Sequence, residues 1–320
     1  MTYLRGTTYR EQTATRQLDL WTKTAALPGQ VQTGAAWISG FVRAALQMAS
    51  PAAVRDFFHE LDGKDTLLSR LGWALIAMVP VFAALAFFAS GTVHGVNPWI
   101  KPIKFSMSFS TFASTISLFL LALNIPQWQR KLARRAIFSS VALEIFSLGA
   151  QAWRSTYAAG SHTLADSLLA QMTNSMVMVN TAIVCWMLLL FCSNRVRADV
   201  VDRPMVSAIR YSIIIFLLGN AIGGYMLARG SHTVGVTDGG PGLPFVNWST
   251  IGGDLRIAHF IAIHAIQIVP LFAYVLSQMA PIPAVRQRKI AIAALALVVS
   301  LAVGATFVQA ALGRPLLPIH

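Results

Sequence analysis

Long apolar stretches separated by short polar segments dominate the chain after about residue 70. Each stretch is close to 20 residues long and almost free of charge, which suits a helix that crosses the hydrocarbon core of a bilayer. We predict seven such spans, at about 71–90, 105–124, 135–153, 172–192, 208–228, 256–279 and 290–312. The pattern predicts an all-α fold: a polytopic membrane helix bundle with seven transmembrane helices over residues 71–320.

The chain before the first span has a different character. Residues 1–34 are rich in Thr, Arg and Gln and lack the apolar run of a secretory signal peptide. They are predicted to form a mobile cytoplasmic tail. Residues 35–70 contain shorter apolar runs, which are predicted to form helices that lie on the membrane surface. Ser50 and Pro51 suit the cap and the first position of one of these helices.

The charged residues support a membrane protein and predict its orientation. Only 12% of the residues are charged, against about 25% in soluble domains. The net charge is +13, and 19 of the 25 Lys and Arg residues precede the first span or fall in the second, fourth and sixth loops. The positive-inside rule then places the N-terminus in the cytoplasm and the C-terminus outside. The six remaining cations are Lys101, Lys104, Arg154, Arg229, Arg256 and Arg314.

The partners follow from the same distribution of charge. We expect the lipid bilayer to be a partner, with some attraction to anionic lipids. The basic residues do not form a patch interleaved with aromatic residues, so no nucleic acid is expected to bind. A small-molecule or redox partner remains open.

The tetrapeptide GSHT occurs twice, at residues 160–163 and 230–233. Four upstream pairs share the same offset of 70: Phe146/Phe216, Leu148/Leu218, Gly149/Gly219 and Ala158/Ala228. Spans three–four and five–six are therefore predicted to be two parallel helix hairpins of an internal repeat. The repeat places His162 and His232 on the same, extracytoplasmic side.

Five of the seven histidines fall on or near this outer half, namely His94, His162, His232, His259 and His264. Imidazoles from different helices of a bundle can hold haem iron, or a transition metal such as zinc or copper. His259 and His264 are separated by about 140° of rotation around one helix, so they face different directions. The alternative is that the histidines only cap helices or make interhelical hydrogen bonds.

Polar residues inside the spans form a second group of candidates for a cavity. Glu144 lies in the middle of the third span, and Gln151 continues a polar stripe from it toward His162. A carboxylate at that depth must be paired, protonated or in contact with water. Possible partners are Asn174, Asn180 and Thr181 in the fourth span and Asn220 in the fifth. The outer side adds Arg154, Arg229, Asp238, Asp254 and Arg256.

The fifth loop is unusual because five glycines and two prolines occur within residues 238–253. This composition predicts a compact, ordered loop rather than a helix. The loop is either a cap that closes the outer end of the bundle or a lid whose backbone N–H groups meet a ligand.

Three motifs, NPWIKPIKF (97–105), SHTVGVTDGGPGLP (231–244) and NWSTIGGDLRIAHF (247–260), resemble a family of bacterial multi-pass inner-membrane proteins. The similarity covers roughly residues 90–280. It implies a bacterial inner-membrane location and brings no chemistry that could be transferred to these residues.

Three functions fit these observations. The first is a redox protein that binds haem b or a metal ion through the outer histidines. The second is a transporter for a small solute or lipid, which the repeat and the buried polar residues favour. The third is a metal-dependent intramembrane hydrolase, with Asp238 or Asp254 beside a metal-bound water.

Overall fold

The computed structural model describes residues 34–48, 50–89, 91–93, 95–157, 163–279 and 282–318. Within these residues the chain forms nine α-helices and two short strands. The helices are α1 (Gly34–Met48), α2 (Pro51–Lys64), α3 (Thr66–Phe88), α4 (Ile100–Ala122), α5 (Gln127–Tyr157), α6 (Leu164–Cys192), α7 (Arg203–Arg229), α8 (Leu255–Ser277) and α9 (Val285–Ala311). The strands β1 (Thr233–Val234) and β2 (Gly253–Asp254) pair antiparallel, with Thr233 opposite Asp254.

Seven of the helices, α3 to α9, are long and apolar enough to cross a membrane. This confirms the predicted seven-span bundle. The predicted tail, residues 1–34, lies outside the described residues except for Gly34. The two predicted surface helices correspond to α1 and α2, and α2 begins at Pro51 as expected.

The third and fourth spans, α5 and α6, begin well before the residues where the apolar pattern places their starts. Helix α5 begins at Gln127, so Arg130 lies on its first turn, where its backbone N–H donates to the Pro126 carbonyl at 3.2 Å. Helix α6 begins at Leu164 because Thr163 and Asp166 form a reciprocal capping box. Polar turns like these extend a helix beyond its apolar core, and hydropathy does not detect them.

Successive spans alternate in direction, so their connections gather at two ends of the bundle. At one end, residues 230–254 pack over the last turn of α9, where Gly253 closely approaches Ala310. We call this the cap end, and residues 230–254 the cap loop. At the other end, Asp65 pairs with Arg134 at 2.5 Å and Asp202 pairs with Arg288 at 2.7 Å. We call this the basic end.

Small side chains allow α3 and α4 to pack closely. Ser110 donates a hydrogen bond of 3.0 Å to the Gly72 carbonyl across the two helices. Ser106, Ala113 and Ser117 continue the same buried stripe along α4. Small side chains at this spacing let two helices approach closely.

The predicted pair of hairpins is present, because α5 packs against α6 and α7 packs against α8. Their matched positions differ in environment, however. Phe146 is 65% exposed and Phe216 is 8% exposed, whereas Leu148 is 1% exposed and Leu218 is 46% exposed. The hairpins therefore match in connectivity and direction but present different faces to the bundle.

Candidate functional site

A line of polar side chains follows the interface between α5 and α6 from the middle of the bundle to the cap end. We call it the polar ladder. On α5 the spacing of three and four residues places its members on one helix face. The ladder comprises Ser140, Glu144, Ser147, Gln151 and Arg154 of α5 and Asp166, Thr173 and Asn180 of α6.

Glu144 lies one turn from Ser140, which is the inner end of the ladder. Its side chain is only 1% exposed, and Asn180 Nδ2 donates a long hydrogen bond of 3.5 Å to its Oε2. Asn180 is held in place because Ser140 Oγ donates to its Oδ1 at 2.5 Å. The Lys101 ammonium at the start of α4 is close enough for its charge to interact with Glu144. A carboxylate has about four acceptor sites, so this arrangement leaves Glu144 weakly satisfied for so buried a group.

The middle of the ladder is a compact hydrogen-bonded group one turn above Glu144. Ser147 Oγ donates to the Leu169 carbonyl at 2.7 Å and accepts from Thr173 Oγ1 at 2.9 Å. Gln151 Nε2 donates to Ser147 Oγ at 3.1 Å. These contacts hold α5 and α6 together through polar atoms in a region where lipid offers no hydrogen bonds.

The top of the ladder is an ion pair at the cap end. Arg154 Nε lies 2.5 Å from Asp166 Oδ1, and the two side chains are 30% and 28% exposed. Arg154 also donates to Thr163 Oγ1 at 2.5 Å. The ladder therefore runs from a buried carboxylate to charged groups that are open to the surroundings.

The helix interface is apolar beyond Ser140 and Asn180. Between Ser140 and the basic end, the helices bury Ile137, Val184, Met187 and Phe191, all 0% exposed. These side chains belong to the largest apolar cluster of the described residues. The ladder thus continues from Glu144 to the cap end, whereas toward the basic end it stops at Ser140 and Asn180 against a closed apolar layer.

The cap loop contains several of the outer-side candidates, and it uses them to hold its own shape. Asp238 accepts hydrogen bonds from Ser231 Oγ at 2.9 Å and from Thr233 Oγ1 at 2.5 Å, and its Oδ1 lies 3.2 Å from His232 Nδ1. Burial by itself raises the pKa of Asp238, but the hydrogen bonds from Thr233 and Ser231 together outweigh it and lower the pKa to about 2. Asp238 is therefore an ionised clamp for the loop.

A second clamp joins the cap loop to α8. Asp254 is 1% exposed, and it accepts from the Ser249 backbone N–H at 2.8 Å and from Arg256 Nε at 2.9 Å. Arg256 also donates to the Asn247 carbonyl. The predicted compact loop is confirmed, and in this arrangement Asp238 and Asp254 fix the fold of the cap.

The threonines that end the two copies of GSHT have different local roles in the structure. Thr163 caps α6 and shares hydrogen bonds with Asp166, whereas Thr233 lies in β1 and shares hydrogen bonds with Asp238. What the copies have in common is a Thr–Asp clamp. His94 and His162 lie outside the described residues, so the predicted approach of His162 to His232 stays a prediction.

The two histidines of α8 point to different neighbours, as their spacing predicted. His259 Nδ1 lies 2.8 Å from the Gly219 carbonyl oxygen of α7. A carbonyl only accepts, so Nδ1 must carry the proton and Nε2 of the neutral ring is left as an acceptor. The ring of His264 packs 4.5 Å from that of Phe260. His259 thus contacts the Gly219 carbonyl, whereas His232 of the cap loop lies beside Asp238, so these two histidines have separate partners.

The described residues contain no group of three or more His, Cys, Asp and Glu side chains that could hold a metal ion.

The two remaining polar candidates lie on α7. Asn220 Nδ2 is buried without a hydrogen-bond partner among the described residues, and it is not part of the ladder. Arg229, at the end of α7, stacks 5.6 Å above the Tyr225 ring.

Comparison of the chain with protein-family models, characterised proteins and solved structures finds no match. The candidate site therefore rests on geometry. Sequence reasoning identified Glu144, Gln151, Arg154 and Asn180 but missed Ser140 and Thr173. Hydroxyl residues are common in membrane helices, and only the structure shows which of them face one another.

Proposed function

We propose that the protein transports a small solute across the membrane and that Glu144 couples this transport to protons or another small cation. The observation that carries the proposal is the one-sided setting of Glu144, which has a polar ladder on one side and an apolar layer on the other. Transport by alternating access requires a central group that can be reached from one side at a time. The cap end is then the extracytoplasmic side of a bacterial inner membrane, in agreement with the distribution of Lys and Arg.

The chemistry of the ladder supports this role. A buried carboxylate with one long hydrogen bond can gain or lose a proton at moderate cost, unlike a carboxylate locked in an ion pair. Ser147, Thr173 and Gln151 provide hydroxyl and amide groups between Glu144 and the surface. Such groups can bind a hydrated cation or pass a proton along hydrogen bonds.

Solute-driven proton movement tests the transport function. The purified protein is placed in liposomes that contain a pH-sensitive dye, and amino acids, sugars, organic acids and amines are added outside in turn. We expect at least one class to acidify the lumen with saturable kinetics that protein-free liposomes lack. Transport would be contradicted if well-folded protein moved neither protons nor any radiolabelled member of the panel.

A haem or metal role is a second candidate, supported by His259. Histidines that ligate a metal commonly donate their other ring N–H to a carbonyl or carboxylate, which is the contact that His259 makes with Gly219. The His259 Nε2 atom then has a free lone pair with which it could ligate the iron of haem b or a transition metal ion. The other ligand would have to come from elsewhere in the cap half of the bundle.

An absorption spectrum before and after dithionite tests the haem proposal. Protein produced with ample haem is expected to show an intense Soret band that sharpens on reduction, and His259→Ala is expected to weaken that band. A featureless spectrum would remove haem. Metal analysis of the same sample would then decide whether a colourless ion such as zinc is bound.

A further inference from the structure

Two lysines stand at the start of α4, at the cap end and away from the basic end. Lys101 and Lys104 occupy the first turn and a half of this predicted membrane span. A spacing of three residues places them on the same face of the helix. Cations in membrane helices are costly unless they are paired or serve a ligand. The groups around Lys101 and Lys104 therefore indicate whether these cations are paired or serve a ligand.

The cap loop brings a third cation to the same place. Lys104 Nζ donates to the Val246 carbonyl at 3.5 Å, and the Arg256 guanidinium donates to the carbonyl of the next residue, Asn247. Because these carbonyls are adjacent in the chain, the two cations lie close together. The charge of Lys104 interacts with those of both Arg256 and Lys101. We call Lys101, Lys104 and Arg256 the cationic cluster.

The negative charge near this cluster is insufficient to balance it. Asp254 makes a bidentate pair with Arg256, at 2.9 Å from Nε and 2.6 Å from Nη2. Among the described residues, no carboxylate lies within ion-pair distance of Lys101 or Lys104. Lys101 Nζ lies 5.9 Å from the Phe105 ring centre, and Glu144 acts on it only through space. Asp254 also acts on Lys104 only through space, so neither lysine has a direct ion pair and the two ammonium groups repel each other.

The backbone of the cap loop is strained at this point. Phe245 and Asn247 adopt φ values of 65° and 55°, in the left-handed region that side chains other than glycine seldom occupy. In this conformation the carbonyls of Val246 and Asn247 accept from Lys104 and Arg256. The first N–H groups of α4 add the positive end of a helix dipole to the same region.

We infer that the cationic cluster binds a phosphate group at the cap end of the bundle. Phosphate carries up to two negative charges and several acceptor oxygens, so it can accept from two lysines and satisfy their ammonium groups together. The phosphate can belong to a soluble ion or ester, or to the headgroup of an anionic lipid. Glu144 has no direct contact with the cluster and acts on Lys101 through space, so phosphate binding does not require that Glu144 take part in transport.

Thermal melting and native mass spectrometry of the full-length protein in detergent test the inference. The probes are inorganic phosphate and dioleoylphosphatidylglycerol, each compared with chloride at equal ionic strength. We expect one probe to raise the melting temperature of the unsubstituted protein. The double substitution Lys101→Met and Lys104→Met is expected to lower the apparent affinity for that probe at least about tenfold, because it removes two charged hydrogen-bond donors. A response to phosphate alone identifies a soluble ligand, and a response to the lipid identifies a headgroup.

Two further variants separate binding from folding. The double substitution Lys101→Arg and Lys104→Arg keeps both charges and is expected to retain binding. Lys289→Met removes an exposed lysine at the basic end and is expected to bind as the unsubstituted protein does. The inference is overturned if neither probe shifts the melting temperature beyond chloride, or if the double methionine variant responds as strongly as Lys289→Met.

Discussion

Glu144→Gln is expected to reduce solute-driven proton uptake at least about 100-fold, the usual scale for loss of a positioned proton-transfer group. Glutamine has the same shape and can still meet Asn180, but it cannot bind and release a proton. The melting temperature should be unchanged or slightly higher, because a neutral amide costs less to bury than a carboxylate with one long hydrogen bond. The measurement is the initial rate of dye acidification in proteoliposomes, with the melting curve of the same preparation.

Asp199→Asn provides the matched control for this substitution. Asp199 also loses a carboxylate charge, but its side chain is 53% exposed on the loop at the basic end, where it pairs with Arg197. The Arg197 guanidinium holds the pKa of Asp199 below its usual value, so the wild-type residue is ionised at neutral pH. The control should transport at the wild-type rate. Full proton uptake by Glu144→Gln would contradict the role of Glu144.

Gly219→Ala is expected to destabilise the protein by about 1–3 kcal/mol, the cost of inserting a methyl group into a tightly packed core. An added Cβ would lie 2.9 Å from Ala262 Cβ and 2.9 Å from the Ile263 backbone N. A backbone atom cannot move unless α8 shifts as a whole. That shift would also lengthen the contact between His259 and the Gly219 carbonyl. Thermal melting in detergent should show a lower transition temperature.

Gly224→Ala is the control, since it makes the same chemical change on the same helix. A Cβ at Gly224 meets no atom within 4 Å. Alanine also favours a helix over glycine, so the melting temperature should be equal or higher. If Gly219→Ala melted at the same temperature as Gly224→Ala, the close approach of α7 and α8 would be wrong.

The spans were predictable because each one must present an apolar surface to lipid over a fixed length. The small residues of α4, and Gly219 and Gly223 of α7, have the spacing that allows close contact between membrane helices. The beginning of α6 could have been found from Thr163 and Asp166, whose spacing is that of a capping box. It was missed because the apolar pattern starts two turns later.

The environment of polar side chains was less predictable, because it depends on which helix faces which. The sequence offered four partners for Glu144, namely Asn174, Asn180, Thr181 and Asn220. Only the packing of α5 on α6 and the rotation of the two helices select Asn180. Likewise, the repeated GSHT gave no sign that Thr233 would clamp Asp238 in a strand. Thr163 and Thr233 differ in setting because one caps a helix and the other lies in a folded loop.

The measurement that tests the central claim most directly is the sidedness of access to the polar ladder. In a background without cysteine (Cys185→Ser and Cys192→Ser), single cysteines at Gln151 and Ile137 are treated with a membrane-impermeant maleimide in right-side-out and inverted vesicles. The one-sided ladder predicts that position 151 reacts only from the extracytoplasmic side and that position 137, fully buried in the apolar layer, reacts from neither side. Reaction at 151 from the cytoplasmic side, or at 137 from either side, would contradict it.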